Sequence, residues 1–160
     1  LCVGTAEHHI GSRDIEDIEC KLALWKKEDA AAKRLMAIPG VGLLTATAAV
    51  ATIGDATVFK NGRQFAAFLG LVPRQAGTGG KVRLFGISKR GDTYLRKLLI
   101  HGARSVITHQ KARAPWLEQL LARRPFNAAV VALANKMART IWALLAHDRT
   151  YQNGVTAQAA

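Results

Sequence analysis

Ile38-Pro-Gly-Val-Gly42 stands between two stretches of helical periodicity, and its reading decides the fold. Pro39 cannot extend a hydrogen-bonded helical ladder, and the glycines permit positive φ, so the chain must turn sharply here. A second helix follows at once. Leu43 to Ile53 is rich in Ala, Leu, Thr and Val, and Gly54-Asp55 closes it. Helix, tight turn, helix is therefore the local plan, and it predicts a mainly helical domain.

Upstream of the turn, Ile15, Ile18, Leu22, Trp25 and Ala32 fall near a 3-and-4 spacing among charged residues, which predicts one long amphipathic helix from Asp14 to Met36. Asp29 interrupts its apolar seam. A coiled coil and a helix packed on its own domain both remain open, and in either case residues 1–36 are an arm. Downstream, Asn61 can cap a helix running through Leu69. Gly70 to Gly91 then loses helical periodicity, with Pro73 and five glycines between 77 and 91, so a Gly-rich basic loop is expected. Lys81 to Phe85 can pair there as a strand of one short β-hairpin.

Asp92 to His109 resumes a helix with core positions Leu95, Leu98, Leu99, Gly102 and Val106, while Lys97, His101 and Arg104 align on another face. Ala114-Pro115 opens a short helix to about Arg123. The last long helix runs from Asn127 to about His147, with Val131, Ala134, Ala138, Ile141 and Leu145 as its buried stripe. The expectation is an all-α fold apart from the hairpin, with a core domain over 37–151 and a loose polar tail over 152–160.

Composition names the class of partner. Lys and Arg number 23 against 11 Asp and Glu, a formal charge of +12 at a sequence pI near 10.4. A polyanion is the default partner for such a chain. No apolar run approaches the roughly 20 residues of a spanning helix, so a membrane is not expected. Cys2 and Cys20 form no CxxC pair and have no histidine pair at ligand spacing, which points away from zinc and disulfides and towards a reducing cytoplasm. No signal peptide is visible. The chain opens at Leu1 without Met and runs into a helical segment, so it reads as a fragment.

Two segments carry chemistry. The turn at Gly40 and Gly42 resembles a helix-hairpin-helix element, in which backbone N–H groups at a helix N-terminus meet a phosphate without reading bases. A plain interhelical turn is the alternative. From Gly70 to Arg104 the chain carries Arg74, Lys81, Arg83, Lys89, Arg90, Arg96, Lys97 and Arg104 against one acid, Asp92. Ordinary solvated helices intersperse the two signs, so a stretch this one-sided is expected to be a phosphate track. Hydroxyls in or near it are Thr78, Ser88, Thr93 and Ser105. Thr78 lies in the flexible loop Gln75-Ala-Gly-Thr-Gly-Gly80, and Ser88 either serves in reserve or caps the following helix. On spacing alone a structural duty is favoured for both, because nothing in the sequence activates either hydroxyl. The acids do not cluster as a two-metal site requires, so no metal site is expected on this chain.

The ordered set Ile38-Pro-Gly-Val-Gly42, Phe65-Ala-Ala-Phe-Leu-Gly-Leu-Val-Pro-Arg-Gln75, Gly86-Ile-Ser-Lys-Arg-Gly-Asp92, Tyr94-Leu-Arg96, His101-Gly-Ala-Arg104, Asn135-Lys-Met-Ala-Arg139 and Trp142-Ala-Leu-Leu145 resembles the C-terminal domain of the insertion-sequence-110 (116/110/902) transposase family. The resemblance covers about residues 15 to 151. It implies DNA recombination and transposition in bacteria by a hydroxyl nucleophile that attacks a phosphodiester, DNA as partner, a guide RNA, and a homo-oligomer. It also implies an N-terminal RuvC-like domain, absent here, to which Mg²⁺ would belong, so the fragment alone is expected to need no cofactor and to be inactive. Counting back from Ile87, the family's nucleophilic serine falls on Thr78, followed by Gly79 as in the family's Ser-Gly. The alternatives are a non-catalytic DNA-binding and oligomerisation module, and an RNA-binding structural protein that would prefer folded RNA to duplex DNA.

Overall fold

The computed structural model of the chain describes residues 15–18, 21, 29–78, 81–110 and 113–152. Residues 15–18 and 21 are helical. Cys2, His8-His9, Cys20 and most of the arm and tail lie outside the described residues.

The expected uninterrupted helix from Asp14 to Met36 is broken at Asp29. This residue has extended backbone (φ −91°, ψ 106°), and its carboxylate accepts from the N–H groups of Ala31 at 2.7 Å and Ala32 at 3.2 Å. It is thus the N-cap of a separate short helix, α1 (Ala30–Leu35), whose Ala32 and Leu35 are fully buried in the core. The acid that interrupts the apolar seam satisfies a fresh set of helix-start donors instead.

The turn closes with Val41 N–H donating to the Ile38 carbonyl at 3.0 Å, and Gly40 takes φ +83°. α2 (Leu43–Ile53) follows, buried at Thr45, Ala46, Ala49 and Ile53. A one-turn 3-10 helix (Ala56–Val58), capped by Asp55, leads to α3 (Gly62–Phe68), where Asn61 caps the Gln64 N–H at 2.9 Å. Phe65 is fully buried and meets Phe59 edge-on at 5.2 Å. Burying one such ring stabilises by roughly 2–3 kcal/mol.

β1 (Pro73–Thr78) and β2 (Lys81–Ile87) form a two-stranded antiparallel sheet in which Gln75 pairs with Leu84, Ala76 with Arg83, Gly77 with Val82 and Thr78 with Lys81. The sheet contributes little to the core. Every residue of 73–77 and 81–86 is exposed.

α4 (Thr93–His109), α5 (Pro115–Arg123, with Pro at its first turn) and α6 (Phe126–Ala146) complete the chain. α6 is the central helix. Its small residues Ala129, Ala134 and Ala138 let α3 and α4 approach closely, and Met137 and Ile141 fill the remaining space. The Gly62 backbone sits so near Arg139 that an added Cβ would stand 3.1 Å from it. Polar ties fix α6 at two points: Trp142 Nε1 donates to the Ala56 carbonyl at 3.0 Å, and Asn135 Nδ2 to the Leu71 carbonyl at 3.1 Å. Its 21 residues are also long and apolar enough to cross a membrane, which the reading of short apolar runs missed. The reason is its place in the core, where Ala129, Val130, Ala134, Met137, Ala138, Ile141 and Leu144 are all buried.

Candidate nucleic-acid interface

The turn and the basic stretch meet on α4. Gly102 lies against Gly40 so tightly that a Cβ on Gly40 would come within 2.7 Å of the Gly102 carbonyl oxygen and of a Val106 methyl. Neither position has room for a side chain, and Gly40 also needs its positive φ. The backbone of the turn therefore rests on α4 beside His101 and Ser105, and with Leu98 they line a shallow concavity with residues 36–45. Gly42, the N-cap of α2, offers no side-chain acceptor. The start of α2, the positive end of its helix dipole, thus has no side-chain cap.

From the turn, Lys97, His101 and Arg104 follow along the exposed side of α4. Arg104 is partly engaged, donating to Asn127 Oδ1 at 3.1 Å with its guanidinium over the Phe126 ring at 5.6 Å. At the start of α4 the track continues through exposed Arg90 and Lys89, the latter at φ +56°, into the hairpin. There Arg74, Lys81 and Arg83 are exposed, and Arg74 lies 5.3 Å from the centre of the Phe85 ring.

Arg96 departs from this track. Only 7% of its surface is exposed. Its Nη1 donates to the carbonyls of Leu69 (3.0 Å) and Arg90 (3.1 Å), and its Nη2 to Thr93 Oγ1 (3.1 Å). Arg96 therefore stitches the end of α3 to the segment entering α4. That seam is crowded: a Cβ on Gly91 would collide with the Phe68 carbonyl. Ser88 N–H donates to the Val72 carbonyl at 2.8 Å and Lys89 N–H to the Gly70 carbonyl at 3.2 Å, closing the root of the hairpin. The cap expected of Ser88 belongs to Asp92, which accepts from the Leu95 N–H at 2.9 Å and from Thr52 Oγ1 at 3.0 Å.

With Asp92 turned inward to Thr52 and Leu95, the only acid of the stretch neutralises none of its outward cations. Thr78 ends β1 as the backbone partner of Lys81, and Gly79 and Gly80 lie outside the described residues. Among the described residues no three His, Cys, Asp or Glu side chains gather where they could hold a metal ion. Sequence reasoning missed the inward use of Arg96 and Asp92 and the contact of Gly40 with Gly102. A glycine within a helical stretch was the available signal for the last.

The described residues form a helical body with an outlying hairpin and a run of exposed cations between Arg74 and Arg104, and comparison with known sequences gives the family. The profile described as Transposase IS116/IS110/IS902 family matches residues 32–117, and the chain belongs to that family. It is 50% identical over 152 residues to a Pseudomonas aeruginosa protein named probable family 20 transposase, covering 88% of this chain and 45% of that one. It is 49% identical over 144 residues to the transposase for insertion sequence element IS1111A of Coxiella burnetii, covering 88% and 40%. The transposase for insertion sequence element IS1328 of Yersinia enterocolitica is 45% identical over 132 residues, covering 80% and 40%. The chain thus spans less than half the length of these relatives.

Proposed function

We propose that this chain is the DNA-engaging, strand-transferring part of an insertion-sequence transposase working in the bacterial cytoplasm. The observation that carries the reading is that Arg74, Lys81, Arg83, Lys89, Arg90 and Lys97 are all exposed while Asp92, the one acid in that stretch of sequence, is bonded to Thr52 and the Leu95 N–H. Cations held in this way exchange condensed counterions for phosphates. The turn at Gly40 and Gly42 adds a helix-hairpin-helix grip, with the uncapped N–H groups of α2 as phosphate donors.

Thr78 is the nucleophile in this reading. Its hydroxyl oxygen bonds to phosphorus as one P–O bond of the DNA strand breaks; the departing oxygen becomes the hydroxyl of the released strand end, taking up in net the proton that Thr78 gives up, and a phospho-threonine link remains, with cations such as Lys81 and Arg83 offsetting charge on the pentacovalent phosphate. Ser88 is the reserve nucleophile. A RuvC-like domain, a guide RNA and further copies of the chain are the partners that the family resemblance implies. Domain limits of 37–151 for the DNA-engaging unit and 1–36 for an arm belong to the same proposal.

A nicked suicide substrate tests it in the complete transposase. Thr78→Ala should abolish covalent protein–DNA adducts while retaining DNA affinity; adducts at the wild-type level would move the nucleophile elsewhere. Threonine in place of the family's serine favours a second reading, a non-catalytic DNA-binding and oligomerisation module, under which the wild-type chain itself forms no adduct.

A further inference from the structure

The hairpin carries more than charge. Val82 is 68% exposed and Leu84 65% exposed, and strand pairing places them on one face with Gly77 and Gln75. The opposite face carries Arg83, opposite Ala76, and Lys81. One surface of the ribbon therefore presents Val82 and Leu84 uncovered beside Gln75, while the other presents Lys81 and Arg83 together with Phe85, over whose ring Arg74 lies. A two-stranded hairpin without tertiary support is marginal in water, so an exposed apolar face on one needs a partner. No acid lies within residues 73–87, and Arg74, Lys81 and Arg83 would repel the same ribbon of a second copy. An anionic partner with apolar surface of its own fits both faces.

We propose, resting on the DNA-binding reading above, that the hairpin is a ribbon inserted in the major groove of duplex DNA. Val82 and Leu84 pack on base-pair edges, thymine methyls among them, while the long side chains of Lys81, Arg83 and Arg74 reach the phosphates that wall the groove. Dimensions agree. Strands about 4.8 Å apart with their side chains suit a groove about 12 Å wide and exceed the roughly 6 Å of the minor groove. The root is held by the Ser88–Val72 and Lys89–Gly70 hydrogen bonds and by Arg96, so the ribbon projects from the body in a fixed direction. Ten residues of α4 separate Asp92 at that root from Gly102 beneath the turn, about 15 Å of helix, which makes the ribbon and the turn two separate grips on one duplex.

The test compares the wild-type chain with Val82→Ser/Leu84→Ser and with Lys81→Ala/Arg83→Ala on a mixed-sequence duplex, on the same duplex with deoxyuridine for thymine, and on its single strand. The first variant should lose about ten-fold in duplex affinity, keep the wild-type salt slope, and lose the preference for thymine over deoxyuridine. The second should lower the log–log salt slope by roughly 1.8, about 0.9 for each phosphate released. Wild-type protein should also shield guanine N7 from dimethyl sulfate, a readout that needs no variant. The proposal is overturned if Val82→Ser/Leu84→Ser binds both duplexes as wild type does, if it loses single strand and duplex equally, or if N7 stays reactive in the bound duplex. It is equally overturned if the DNA-free wild type sediments as a dimer that these serines dissociate. Any of those results leaves salt-dependent DNA binding standing; absence of binding to every probe at low salt would instead remove the DNA-binding reading itself.

Discussion

Arg96 donates three hydrogen bonds in a place that water scarcely reaches, so its removal leaves two backbone carbonyls and a threonine hydroxyl poorly satisfied. Arg96→Ala should lower the unfolding free energy by about 3 kcal/mol, and Arg96→Lys should recover only part of that, since one ammonium cannot span the three acceptors. Urea unfolding measures both. Wild-type stability with weakened DNA binding would return Arg96 to the phosphate track. Gly102→Ala puts a methyl into the Gly40 carbonyl and should cost about 1–3 kcal/mol. A further residue-scale effect depends on pH. The Thr57 hydroxyl, followed by the Thr57 N–H, holds the Asp55 carboxyl below its ordinary value of 3.8. The folded value is the lower one, so this contribution is present at neutral pH and is lost as pH falls through it. In Thr57→Val the Asp55 carboxyl carbon should titrate at a higher pH by NMR.

At the scale of elements, helix starts are fixed by side chains close in sequence. Asp29, Asp55, Asn61 and Asp92 each cap a helix within three residues. Asp92→Ala should destabilise by about 1 kcal/mol and slacken the Thr52 tie, while Asp92→Asn retains most of the cap. Differential scanning calorimetry on the pair separates charge from cap. Such local rules explain why the helices from Leu43 onward, the hairpin at Lys81 and the break at Pro115 were legible in the sequence. Arg96 was not, because its partners Leu69 and Arg90 come together only through the seam at Gly91. The start of α1 was missed because apolar spacing continues past Asp29 even though the backbone does not. Of the candidate interface, the cations outside Arg96 were legible from charge alone. Their continuity with the turn at Gly40 was not, since it depends on a contact between glycines 62 positions apart, Gly40 and Gly102.

For the molecule as a whole, a charge of +12 would make the affinity of the proposed DNA contact a property of the buffer. If the six exposed cations from Arg74 to Lys97 each meet a phosphate, duplex affinity should fall about a thousand-fold between roughly 50 and 200 mM salt, and fluorescence anisotropy across that range checks it. In the complete transposase, Thr78→Ser should raise the yield of covalent adduct, because a serine hydroxyl is less hindered and freer at χ1 than threonine's. An equal or lower yield would show that the position does not limit the chemistry.

The root of the hairpin separates two kinds of constraint. Backbone bonds at Val72–Ser88 and Gly70–Lys89 fix where the strands leave the body, yet no side chain from 73–77 or 81–86 is buried within it. The segment behaves as a cassette. Residues 73–77 and 81–86 can be exchanged for those of a related chain without repacking the core, against which Ile87 at the base does pack; if the ribbon meets DNA as proposed, that exchange should carry the related chain's target preference with it.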